Sequence, residues 1–179
     1  MRDDATLRFM FVAAAFYGLL AFEGLFLAIR PVNALSRCTD WTVGHVHSGT
    51  LGWLAMIIFG SLYTLVPHLA GQDRMRWPRA VERHFRLGVV HVVAMWDAGV
   101  PQGLMWRTHD AGGARSHGFL QSVMAMAPYD LLRTFGGALF LLGALICVAN
   151  TLDLPPAPRA GAGAGPAHPR DHGGGGARC

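Results

Sequence analysis

Two histidines one residue apart, His45 and His47, stand in the run DWTVGHVHSGTLGW at positions 40–53. An α-helix turns about 100° per residue, so residues two apart point roughly 200° from each other, to nearly opposite faces. One metal ion does not easily take both rings. Two planar cofactors, one on each side of the helix, could each take one axial imidazole. Gly44, Ser48, Gly49 and Gly52 are small enough for flat rings or neighbouring helices to come close. The other reading of the pair is two interfacial histidines hydrogen-bonded to neighbouring helices.

Glu23 is the lone acid of the run AFYGLLAFEGLFLAIR. A carboxylate in apolar surroundings needs a partner or takes up a proton. It lies about six residues before Ile29, roughly 9 Å along a helix, and His45 has a comparable depth on the next, antiparallel segment. A carboxylate accepting from the Nδ1–H of a metal-bound imidazole is a common arrangement and makes the ligand more basic. The alternative is a protonated Glu23 satisfied by another helix. His91 and Asp97 are six apart and do not share a face, so a joint metal site is not expected. Asp97 is expected at a contact with a neighbouring subunit, with proton relay as the other option. Trp106 fits an interfacial belt, and Arg107 could pair with an acidic cofactor group such as a propionate, or with a lipid headgroup. His84, His109, His117, His168 and His172 are expected to be solvated. Cys38, Cys147 and Cys179 are isolated, and no C-x-x-C-H is present for covalent haem attachment.

The elements that hold these residues are apolar and long. The 179 residues are 52% hydrophobic and 15% charged, against about 25% charged in an ordinary soluble domain. All 15 basic residues are arginines, clustered between apolar runs, which marks an integral membrane protein and not a nucleic-acid binder. Four stretches reach the roughly 20 residues of a spanning helix: about Leu7–Ile29, Val43–Leu69, Leu87–Trp106 and Leu131–Leu152. The predicted fold is therefore an all-α, four-helix membrane bundle over residues 1–154, packed up and down through Gly18, Gly24, Gly49, Gly52, Gly136, Gly137 and Gly143. Residues 155–179 are rich in Gly, Ala and Pro and are predicted to be a disordered tail. Arg74, Arg76, Arg79, Arg83 and Arg86 make the densest basic cluster. The positive-inside rule keeps it in the cytoplasm, with both termini, and puts His45 and His47 near the outer face.

The runs TLRFMFVAAAFYGLLAFEGLFLAIRPVNALSRCTDWTVGHVHSGTLGWLAMIIFGSLYTLVP, MWDAGVPQGLMWR and RTFGGALFLLGALICVAN closely resemble the catalytic subunit of C-family, cbb-type haem–copper cytochrome c oxidases. FEG followed by DWTVGHVHSG is a specific signature within that resemblance, which covers about residues 6–152. It implies a bacterial inner-membrane, multi-pass protein matching the last four of twelve helices. It implies O2 reduction to water with electrons from cytochrome c, coupled to proton pumping, and partner subunits that include c-type cytochromes. It implies that His45 ligates a high-spin haem b and His47 a low-spin haem b, and that Glu23 serves the catalytic centre by lying against His45.

The departures from the family are also specific. The family's copper-ligating histidines, cross-linked tyrosine and second low-spin haem ligand belong to earlier spans and have no counterpart here. Copper is therefore expected only together with those spans, and the chain is not expected to be active alone. Asp97 stands where an apolar residue is expected, residues 108–126 match poorly, and Met1 falls where an internal start or a cut in a longer gene would fall. Two other readings stay open: a non-enzymatic haem-b-binding or degenerate membrane protein, and a nitric oxide reductase-related fragment. The wording GHVHSGTLGW favours the oxidase over the reductase.

Overall fold

The computed structural model describes residues 5–155. The expectation for the tail falls almost wholly outside them. The described residues form five helices: α1 (Ala5–Ala28), α2 (Arg30–Ser36), α3 (Asp40–Leu69), α4 (Pro78–Arg107) and α5 (Phe119–Leu152). Among the described residues no strand forms beyond one isolated bridge between His109 and Arg115.

Side-chain contacts give the register. Along α1 and α3, Phe9 meets Gly60, Phe16 meets Gly52, Leu20 meets Gly49, and Gly24 meets His45, so these two helices run antiparallel. Along α3 and α4, Gly44 meets Met95 and Trp96, Met56 meets Gly88, and Tyr63 meets His84, again antiparallel. Along α4 and α5, His91 meets Gly136 and His84 meets Gly143. The result is an up-and-down bundle in which α4 lies against α1, α3 and α5.

Three helices, Thr6–Ala28, Asp40–Leu69 and Phe119–Leu152, are long and apolar enough to cross a membrane. This is one fewer than the sequence suggests. At 30 residues α4 is about 45 Å long, more than the roughly 30 Å hydrocarbon core. It starts earlier than its apolar run, however, and carries Arg79, Glu82, Arg83 and Arg86 as well as His91 and Asp97. Its covered face holds Val81, His84, Gly88, His91, Ala98 and Gly99. His84 and His91 lie on that covered face, where neighbouring helices shield them, while Arg79, Arg83, Arg86 and Asp97 stay exposed. The outward faces are strongly apolar: Phe11, Phe22, Leu25, Leu120 and Phe135 are all more than half exposed. The protein is an all-α membrane bundle.

Several boundaries move. The last helix begins at Phe119 and runs through Pro128, so the connection before it is only 108–118. The first connection holds α2, started by Pro31 in its first turn. Cys38 then takes a left-handed backbone (φ 63°), and Thr39 caps α3 by accepting from the backbone N–H of Trp41. Of the glycines expected at close contacts, Gly49, Gly52, Gly136 and Gly143 pack tightly and Gly24 lies beside His45, but Gly18 and Gly137 face open space. The tightest helix approach falls at a residue the pattern did not single out. A Cβ on Gly99 would collide with the backbone of Asp40.

Immediately after His47, α3 widens into a π-helical stretch, Ser48–Leu54, and the Ala55 N–H bonds back to Thr50. Phe16 and Leu20 of α1 press on Gly52 and Gly49 in this stretch. Such stretches often occur at functional sites.

Candidate functional site

Glu23 is the centre of the site. It is 5% exposed, on α1, and faces both α3 and α4. Its Oε1 accepts from the indole N–H of Trp41 (3.0 Å) and from that of Trp96 (3.1 Å). Its Oε2 lies 3.1 Å from His45 Nδ1. One carboxylate thus joins three helices through three N–H groups, with its two oxygens given different partners. The close approach of α4 to α3 at Gly44 and Gly99 makes this possible, because it brings Trp96 level with Trp41 and His45.

His45 and His47 point to different neighbours, as their spacing requires. His45 lies against α1, next to Glu23 and Gly24. His47 lies against α4, with its ring centre 5.8 Å from that of His91. The Nδ1 of His47 bonds the Val43 carbonyl oxygen at 2.8 Å, one turn back on its own helix. In both residues Nδ1 is engaged by an acceptor, a carboxylate in one and a carbonyl in the other. With Nδ1 carrying the proton, Nε2 keeps the lone pair that ligates iron. The donor chemistry therefore fits two haem groups, one on each side of α3. Gly24 lies beside the Nε2 end of His45, where even an added Cβ would make only ordinary contact with the ring.

The remaining sequence candidates are dispersed. Asp97 is exposed and takes no part. Arg107 closes α4, and its Nε is buried without a hydrogen-bond partner. His91 is 2% exposed, touches Phe140 and His47, and has neither ring nitrogen bonded. His84 corrects the sequence reading. It is buried, not solvated; its Nδ1 lies 2.8 Å from the Tyr63 hydroxyl, and Phe9 and Phe59 pack on its ring. Its place inside α4, and not in a connection, is the reason.

Some partners the sequence did not reveal. Trp41 and Trp96 are the main ones. In the sequence these tryptophans look like packing or belt residues, and only the tertiary contact shows both indoles on one oxygen. Asp40, Arg133 and Gln102 form a second cluster at the same end: Arg133 pairs with Asp40, and the Gln102 side chain accepts from the Asp40 backbone N–H. Their separation in sequence hid that cluster.

A membrane helical bundle carrying a buried carboxylate on one of two oppositely directed histidines is the class that fold and site define. Comparison with known proteins specifies it. The model of the family "Cytochrome C and Quinol oxidase polypeptide I" matches residues 1–139, and the chain belongs to that family. It is 48% identical over 154 residues to a cytochrome c oxidase subunit 1 homolog of Agrobacterium tumefaciens, covering 84% of this chain and 29% of that protein. It is 44% identical over 155 residues to the cbb3-type cytochrome c oxidase subunit CcoN1 of Stutzerimonas stutzeri, covering 84% and 33%. It is 46% identical over 154 residues to cytochrome c oxidase subunit 1 of Rhodobacter capsulatus, covering 84% and 29%. The chain therefore spans about a third of the length of these relatives.

Proposed function

We propose that this chain is the haem-binding part of the catalytic subunit of a cbb-type cytochrome c oxidase, with His45 holding a high-spin haem b and His47 a low-spin haem b. The observation that carries the reading is the engagement of both Nδ1 atoms, by Glu23 and by the Val43 carbonyl, on opposite sides of α3. When bound, haem at His47 would supply electron transfer and haem at His45 would supply a site for O2 reduction. The chain's own residues do the rest. Glu23 orients the His45 ring and makes it a stronger donor. Arg107, with its buried unpartnered Nε, offers a cation for a propionate.

The whole reaction, O2 to water with electrons from cytochrome c and coupled proton pumping, is proposed for the assembly of this segment with further oxidase spans and with c-type cytochrome subunits. Copper ligation is assigned to those further spans. Among the described residues no group of three His, Cys, Asp or Glu side chains gathers at one point. The arginine cluster formed by Arg74 and Arg76 before α4 and Arg79, Arg83 and Arg86 in its first turns would lie on the cytoplasmic side of a bacterial inner membrane, with the Glu23–His45 end toward the outer face.

Resonance Raman spectra of the full chain, purified in detergent and loaded with haem b, test the assignment. Because the second ligand of the His47 haem is expected from further spans, both haems of this chain alone are expected to be five-coordinate and to give two iron–histidine stretches in the reduced form. Glu23→Gln should move one of them, His45→Ala should remove that same one, and His47→Ala should remove the other. An unchanged spectrum in all three variants overturns it.

A further inference from the structure

We infer that Trp41 and Trp96 are positioning residues that set how strongly Glu23 pulls on the His45 proton, and through it the redox potential of the haem that His45 carries. The inference rests on the haem reading of His45 above.

The Glu23 carboxylate divides its two oxygens between two kinds of partner. Both indole N–H groups fall on Oε1, at 3.0 and 3.1 Å, and the imidazole falls on Oε2. A hydrogen bond to a carboxylate stabilises its charge and lowers its basicity. Two donors on one oxygen therefore draw electron density from the other. The Nδ1–H of His45 meets a weakened acceptor, and the imidazole keeps less anionic character than a bare carboxylate would impose. The partner on Nδ1 controls ligand basicity and hence the metal's electronics. The low local dielectric strengthens each of these bonds, since Glu23 and Trp41 are both nearly inaccessible to solvent.

The four groups come from three helices: Glu23 from α1, Trp41 and His45 from α3, Trp96 from α4. The Trp96 bond is the only one of the three side-chain bonds to Glu23 that reaches it from α4. A displacement of α4 against α1 and α3 would change the donor count on Oε1 and leave the His45 contact in place. The arrangement thus couples helix position to the electron density on the His45 ligand.

The sign of the effect separates tuning from mere support. If Trp96 only holds Glu23 in place, its removal frees the carboxylate to drift from His45. The potential would then rise, in the direction expected for Glu23→Gln. If Trp96 tunes the carboxylate, removing the indole N–H makes Oε2 more basic, enriches the imidazole, stabilises ferric iron and lowers the potential. The experiment is a redox titration of the full chain loaded with haem b, in a His47→Ala background so that only the His45 haem reports. Trp96→Phe is the variant of choice, because Trp96 is 38% exposed and leaves little buried space behind. We expect a downward shift in potential and an upward shift of the iron–histidine stretch for Trp96→Phe, with shifts of opposite sign for Glu23→Gln. Uniform 5-fluorotryptophan labelling, which strengthens the N–H donor and keeps the shape, should raise the potential without any packing change. A potential in Trp96→Phe that is unchanged, or that moves with Glu23→Gln, overturns the inference. Haem that binds equally well after His45→Ala in the same background overturns the haem reading beneath it.

Discussion

Replacing Glu23 tests the energetics of the site without any cofactor. Leucine is close to glutamate in volume, so Glu23→Leu changes polarity more than packing. Three donors lose their acceptor: Trp41 Nε1, Trp96 Nε1 and His45 Nδ1. Trp41 is 8% exposed, and no water can take over its N–H, which costs about 1–3 kcal/mol. Trp96 and His45 are more open, and each loses a bond worth about 0.6 kcal/mol by the average for membrane helices. The sum is about 2–4 kcal/mol of lost stability. Glu23→Gln keeps an oxygen for the two indoles and turns its amide toward His45, which then accepts at Nδ1 and carries its proton on Nε2. That variant should lose only about 1 kcal/mol. Removing all partners together is different, because a polar cluster replaced by apolar groups of similar shape is often neutral. The triple change Glu23→Leu, Trp41→Phe, Trp96→Phe should therefore recover part of the loss. The assay is reversible unfolding in mixed micelles of rising SDS fraction, followed by far-ultraviolet circular dichroism. A Glu23→Leu chain as stable as the parent, or a glutamine variant as unstable as the leucine one, would refute the reasoning.

Further outcomes can be read by the same unfolding assay. Gly99→Val should cost at least about 1–3 kcal/mol, since its side chain would press into the Asp40 backbone at the α3–α4 crossing. His91→Phe should cost nothing or stabilise, because both ring nitrogens of His91 are buried without partners and phenylalanine suits the contact with Phe140. Tyr63→Phe should cost about 1–3 kcal/mol by leaving His84 Nδ1 unbonded in the core, and adding His84→Phe should cost much less than the two single changes suggest together.

What the sequence made legible follows from the range of each signal. Helical periodicity and hydropathy act over one turn or one span, so α1 and the bulk of α3 and α5 were readable, and so was the divergence of His45 from His47. Span ends were less readable. The Leu87–Trp106 run gave no sign that α4 continues back through Arg86 and His84 to Pro78, because hydropathy marks only the apolar part of a helix: His84 is buried against its neighbours, while Arg86 stays exposed on the same helix. The Glu23–His45 contact followed from matching depths on adjacent antiparallel helices. The indoles of Trp41 and Trp96 did not, because their targets lie 18 and 73 residues away. The π-helical stretch after His47 was also hidden, since nothing in SGTLGWL alone marks a widened turn.

The central claim is that His45 and His47 each hold one haem, on opposite faces of one helix. The most direct test is the haem-to-polypeptide ratio of the full chain, purified in detergent after saturation with haem b and measured as the pyridine haemochrome. Two haems per chain are expected, one in His45→Ala, one in His47→Ala and none in the double variant. A ratio that stays the same in the double variant would contradict it.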